Sequence, residues 1–181
     1  MRPKTIVLFD IDDTLLVTSD RIEGTHKVTG EKISWSTAEY RDNKHRKDEY
    51  HLDYTKFGDQ SGIELANPGP GLSFLREIIE YKEALDLRLG ILTARGGQGK
   101  GFPGLKTFLD KFGVDIEAFD PYLIFFVNDE KWEGVLEGDS ADRKKQVIST
   151  LEDIYPERSI LLIDDDIDNH YDSKQTSSQF P

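Results

Sequence analysis

The chain has no cysteine among its 181 residues. Disulfides, thiolate metal sites and cysteine nucleophiles are therefore excluded. Long apolar runs are also missing. None approaches the roughly 20 residues needed to span a bilayer, and the apolar stretch near the N-terminus is interrupted by Asp10, Asp12 and Asp13, which excludes a signal peptide. Basic charge is scarce, with 23 Lys and Arg against 35 Asp and Glu, for a formal net charge of −12. Such a surface repels nucleic-acid backbones and anionic membranes. Extended duplex binding and membrane attachment are not expected, although a small basic site is still allowed. There is no GxxxxGK[ST] phosphate loop and no internal repeat. These absences leave a soluble, cytoplasmic protein of one unit with a length suited to a self-standing core.

Four short apolar runs are present: Thr5–Phe9, Leu87–Leu92, Leu123–Val127 and Ser159–Ile163. Each is β-branched or rich in Leu and Phe, lacks strict alternation and ends at a polar cluster. That pattern predicts strands covered on both faces in a parallel sheet. Three helical stripes lie between them: Leu72, Leu75, Ile78 and Ile79; Leu105, Phe108, Leu109 and Phe112, closed by Gly113; and Val147, Ile148, Leu151 and Ile154. Strand and helix alternate from residue 70 onward, so the fold class is α/β.

Residues 19–67 break this rhythm with Trp35, Tyr40, Tyr50, Tyr54 and Phe57 set among charges. A hairpin turn is expected at Thr29-Gly30 and a capped helix at Ser36-Thr37-Ala38-Glu39. The excursion starts directly after a carboxylate cluster, which predicts a lid over that cluster. The stretch Arg41–Lys47, interspersed and followed by Asp42, Asp48 and Glu49, reads as a solvated helix face. His26, His45, His51 and His170 have no metal-like spacing and read as surface residues. The Ser- and Gln-rich tail, 171–181, is expected to be flexible.

The carboxylates carry the chemical signal. Asp10, Asp12 and Asp13 follow the first strand, and Asp164, Asp165 and Asp166 follow the last. Ligands of open parallel sheets bind at this edge. Acids delivered there by two strands repel one another, and their hard oxygens suit Mg2+. Thr93-Ala94-Arg95-Gly96-Gly97 ends the second strand, where a hydroxyl and freed amides can hold phosphate oxygens. Asp142-Arg143-Lys144-Lys145 opens the last helix and supplies cations.

The order Asp-x-Asp-x-Thr, Thr, Lys, Asp-Asp, carried by Phe9–Thr14, Thr93, a lysine at 144 or 145 and Leu161–Asp166, resembles the haloacid dehalogenase superfamily of aspartate-nucleophile phosphohydrolases. A receiver domain uses similar residues in a different order and is rejected. The resemblance implies a three-layer, Rossmann-like parallel sheet with a small cap inserted between the first and second motifs. The core would be 1–18 and 68–170, with 19–67 as the cap. It implies Asp10 as nucleophile, Asp12 as acid and base, and Mg2+ held by Asp10, the Asp12 carbonyl, Asp164 and Asp165. Thr93, Ala94 and the lysine would hold phosphate. From Lys144 the apolar positions Val147, Ile148 and Leu151 fall on the buried stripe, whereas Lys145 fits that stripe worse; Lys144 is chosen. The position after Asp12 is often Gly in the superfamily, and here it is Asp13.

The phosphatase part of phage-type polynucleotide kinase-phosphatases is similar in a further respect. Arg95 and Arg21 occupy the spacings of its two arginines, which implies a bidentate clamp on a phosphorylated sugar. The long excursion and the missing kinase loop depart from it. The expected activity is a Mg2+-dependent phosphomonoesterase acting on a small phosphate ester, a nucleotide or a nucleic-acid 3′-phosphate end. A non-catalytic Mg2+- and phosphate-binding domain and a phosphotransferase are the alternatives.

Overall fold

The structure is a computed structural model, which describes residues 4–58, 60–96 and 101–166. In chain order the strands are β1 (Lys4–Phe9), β2 (Leu16–Val17), β3 (Ile22–His26), β4 (Lys32–Trp35), β5 (Tyr50–Asp53), β6 (Asn67–Pro68), β7 (Leu87–Thr93), β8 (Ile124–Phe126) and β9 (Arg158–Ile163). The helices are α1 (Thr37–Asn43), α2 (Gln60–Glu64), α3 (Gly71–Tyr81), α4 (Gly101–Lys111) and α5 (Ser140–Ile154). The protein is mixed α/β. Its main sheet is parallel, ordered β8-β7-β1-β9, and is compatible with a Rossmann-like arrangement.

The period-2 geometry of a strand explains how one sheet serves two helix layers. Val7 and Phe9 of β1 point to one side, where they meet Leu72 and Leu75 of α3 and Leu105, Phe108 and Leu109 of α4. Ile6 and Leu8 point to the other, against Val147, Ile148 and Leu151 of α5. Ile154, at the end of the predicted stripe, is exposed, and Tyr155 packs against the cluster there instead. Gly113 follows α4 with φ 74, the left-handed conformation that favours glycine after a helix.

Coverage of both faces holds for β1 and is corrected for β9. This strand is an edge of the sheet, and Ser159 and Leu161 are exposed on the face opposite α5.

The lid segment forms a three-stranded antiparallel sheet, β4-β3-β5, with α1 and a 3-10 turn over Lys44–Glu49 on the path between β4 and β5. The hairpin closes at Gly30 (φ 71), with His26 Nδ1 accepting from the Val28 and Thr29 amides. Ser36 and Glu39 form the expected reciprocal capping box on α1. Not all of 19–67 lies apart from the core, since Ile63 and Ala66 pack in the cluster that contains Phe9 and Leu75. A short antiparallel ladder, β2 with β6, lies where the chain leaves the core for the lid and returns. The expected tail, 171–181, lies outside the described residues, as do Gly97 and His170.

Gly90 lies in the middle of β7, and a Cβ there would collide with the Leu123 carbonyl and with Leu8. The backbone atom cannot turn aside, so Gly90→Ala is expected to cost at least about 1–3 kcal/mol. Urea denaturation would measure it, and an unchanged midpoint would refute the packing argument.

Candidate functional site

Register alone brings the two acid clusters together. Phe9 of β1 pairs with Ile163 of β9, so Asp10 and Asp164 emerge side by side. The Asp10 amide donates to the Ile163 carbonyl at 2.9 Å and fixes this junction. Carboxylate oxygens of Asp10, Asp164 and Asp165 all lie within 4.8 Å of one another. Three hard oxygen donors at that spacing fit a divalent cation such as Mg2+.

Part of the charge is balanced by Lys144. Its ammonium donates to Asp10 Oδ1 at 2.9 Å and to Asp164 Oδ2 at 2.7 Å, and its side chain is 1 % exposed. Asp139 caps α5 by accepting from the Ala141 and Asp142 amides, which sets the helical phase that turns Lys144 inward with Val147, Ile148 and Leu151. Lys145 stays partly exposed. Burial raises the Asp10 carboxyl from 3.8 to about 7; Lys144 opposes this, and Asp164 and Asp12 reinforce it. For Lys144, burial disfavours the ammonium, but Asp10 and Asp164 outweigh it and hold the lysine above its ordinary value.

Asp12 does not join the three clustered carboxylates. Arg95 grips it with two hydrogen bonds, Nε to Oδ2 at 2.8 Å and Nη2 to Oδ1 at 2.7 Å. The Arg95 guanidinium is buried, and such a charge needs this kind of paired acceptor. Asp13 takes φ 57, a left-handed conformation that Gly, Asn and Asp tolerate best. Thr14 closes the loop: its hydroxyl donates to Asp165 Oδ1 at 3.3 Å and accepts from the Asp165 amide at 3.2 Å.

Two expected substrate contacts are not brought to the cleft. Arg21 is held within the lid, donating from Nε to the Ser34 hydroxyl at 3.1 Å, to the Ser34 carbonyl, and to Glu39 at 2.8 Å. The capping-box glutamate captures the guanidinium, so correct spacing in sequence does not become proximity. Thr93 is fully buried, and its hydroxyl accepts from the Arg95 amide at 3.2 Å. Its place is beneath the loop, whereas Ala94 and Arg95 line the cleft.

The cleft between core and lid encloses about 770 Å3, and Tyr40 and Tyr54 line its lid side. A row of cations that had read as solvated points into it. Arg41 pairs with Asp165, Lys44 with Asp166 at 3.2 Å, and Lys47 with Asp139 at 3.6 Å. The signal was in the spacing. Positions 41, 44 and 47 recur every third residue, and a capped helix continued by a 3-10 turn places them along one side. Thr14 was also missed as a contact, because only the folded register shows that it meets Asp165.

No protein-family model, curated protein or solved structure matches the chain.

The raised Asp10 value gives a pH test. The folded chain retains a proton that the unfolded chain loses above 3.8. Its stabilising contribution is complete below 3.8 and is lost as pH rises through about 7. A cation held by the ionised acids offsets that loss, so Mg2+ should raise Tm more at about pH 8 than at about pH 5.5. Thermal melts of wild type and Asp10→Asn measure the difference. Equal Mg2+ shifts at both pH values in wild type would overturn the assignment.

Proposed function

We propose that the chain is a Mg2+-dependent phosphomonoesterase of the haloacid dehalogenase type, working through an aspartyl-phosphate on Asp10. On this reading its core is three-layered and Rossmann-like, and the lid is an inserted cap. The observation that carries it is the buried Lys144 ammonium bridging Asp10 and Asp164, with Asp165 beside them, at the C-terminal edge of a parallel sheet. The two carboxylates that the lysine spans both border a cleft large enough for a phosphate ester.

Asp10 attacks phosphorus through a carboxylate oxygen while the bond from phosphorus to the leaving oxygen breaks. Asp12 gives that oxygen a proton, and the alcohol departs. Asp12 then takes a proton from water, whose oxygen bonds to phosphorus as the bond to Asp10 breaks. Inorganic phosphate leaves and the Asp10 carboxylate is restored. Lys144 aims Asp10 and neutralises charge on the acyl phosphate. Arg95 orients Asp12, and the Ala94–Arg95 loop borders the phosphate. Asp10, Asp164 and Asp165 would hold Mg2+, which would supply shielding between the anionic nucleophile and the anionic phosphate.

The two-pronged Arg95–Asp12 pair favours one competing reading. A carboxylate locked in an ion pair suits a Mg2+- and phosphate-binding domain without turnover. Phosphate release from a generic aryl phosphate with Mg2+ separates the two. Wild type should turn over, and Asp10→Asn should lose at least about 10³-fold, the scale on which removing a catalytic group acts. Equal rates for the two proteins would reject Asp10 as nucleophile, and no release by wild type would favour the binding domain.

A further inference from the structure

The three clustered carboxylates are met by two protein cations of different origin. Lys144 comes from α5, within the core, and its buried ammonium serves Asp10 and Asp164. Arg41 comes from the lid and serves Asp165, reaching it across the cleft with a side chain that is 36 % exposed. The chemistry proposed at Asp10 has no use for this arginine.

Both oxygens of Asp165 are engaged. Oδ1 accepts from the Thr14 hydroxyl at 3.3 Å, and Oδ2 accepts from Arg41 Nη1. A metal ion held by Asp10, Asp164 and Asp165 would share Asp165 with one of these donors. The Thr14 hydroxyl is neutral, has lone pairs of its own, and is tied in place by the Asp165 amide. A guanidinium has no acceptor, and its charge repels the incoming ion. Arg41 is therefore the partner that gives way.

The way the lid is held makes that loss matter. No residue of α1, or of the 3-10 turn over Lys44–Glu49, is buried. This side of the lid meets the core across the cleft through ion pairs: Arg41 with Asp165, Lys44 with Asp166 and Lys47 with Asp139. Partly exposed ion pairs are individually weak, so one of three is a large share of such a hold.

We infer that Arg41 is a latch that competes with the site metal for Asp165, so that metal occupancy and lid position are coupled. The metal frees the lid, and the latched lid lowers the affinity for metal. The two effects are equal in size, because coupling between binding equilibria is reciprocal. The inference rests on reading Asp10, Asp164 and Asp165 as a Mg2+ site. It sets an order of events: the cation arrives first, and the cleft loosens before any ester enters.

Calorimetric Mg2+ titration of wild type, Arg41→Gln and Lys47→Gln at fixed ionic strength tests the competition. Arg41→Gln should bind Mg2+ about tenfold more tightly than wild type, within the usual range of coupling between sites. Lys47→Gln removes the same charge from the same row and leaves Asp165 alone, so screening should keep its effect below about twofold. Thermal melts without Mg2+ report whether the variants are folded. Amide hydrogen exchange reads the other side of the coupling and needs no variant: Mg2+ should speed exchange over residues 37–49 of wild type. Equal affinities in wild type and Arg41→Gln, a gain that Lys47→Gln matches, or unchanged or slower exchange with Mg2+ bound would each overturn the latch and leave the metal site standing. Failure of all three proteins to bind Mg2+ would reject the metal site itself, and the latch with it.

Discussion

One buried ammonium holds the site together. Lys144 sits where two parallel strands each release an aspartate into nearly dry surroundings, and its three protons answer both. Without it, Asp10 and Asp164 would face each other as uncompensated charges in low dielectric, a cost of several kcal/mol by the general behaviour of broken buried pairs. The pairing of β1 with β9, the phase of α5 and the capping of that helix by Asp139 all serve this contact. Asp165, the third acid of the set, lies beyond the lysine's hydrogen bonds and is met instead by Arg41 from the lid.

Much of this was legible in the sequence because it depends on period and adjacency. The four apolar runs became the four strands of the main sheet, within a residue or so at each end. The three stripes became α3, α4 and α5, and the choice of Lys144 over Lys145 followed from the same 3.6-residue phase. Gathering Asp10, Asp164 and Asp165 required only that two parallel strands end at one edge. Arg21 and Thr93 do not line the cleft, for another reason. Each found a nearer partner, Glu39 for the arginine and a loop amide for the threonine, and linear spacing carries no information about such competition. The edge character of β9 was hidden too, since an apolar run does not reveal whether its second face is covered.

The lid shows how a charge run can mislead. Asp42, Asp48 and Glu49 alternate with the bases and make Arg41–Lys47 look like an ordinary wet surface. Every third position of it is nevertheless turned toward the core, and the acids it meets lie more than 90 residues away. The protein's negative charge is therefore not spread evenly. Acids concentrate at the core's sheet edge, and the lid answers them with a matching row. The lid meets the core across the cleft through ion pairs, contacts that dissolved salt screens and apolar contacts would not share.

The ladder of β2 with β6 attaches the lid close to the chemistry. Gly69 donates to the Leu15 carbonyl and Gly71 to the Thr14 carbonyl, at 2.9 and 2.8 Å. A side chain at Gly69 would strike the same backbone. Both connections of the lid thus press on the loop that carries Asp12, Asp13 and Thr14. Mechanically this is a short lever with its fulcrum at the acid loop. Whatever pulls on the lid pulls first on the carboxylates beneath it, and the lid cannot be replaced as a module without retuning that loop.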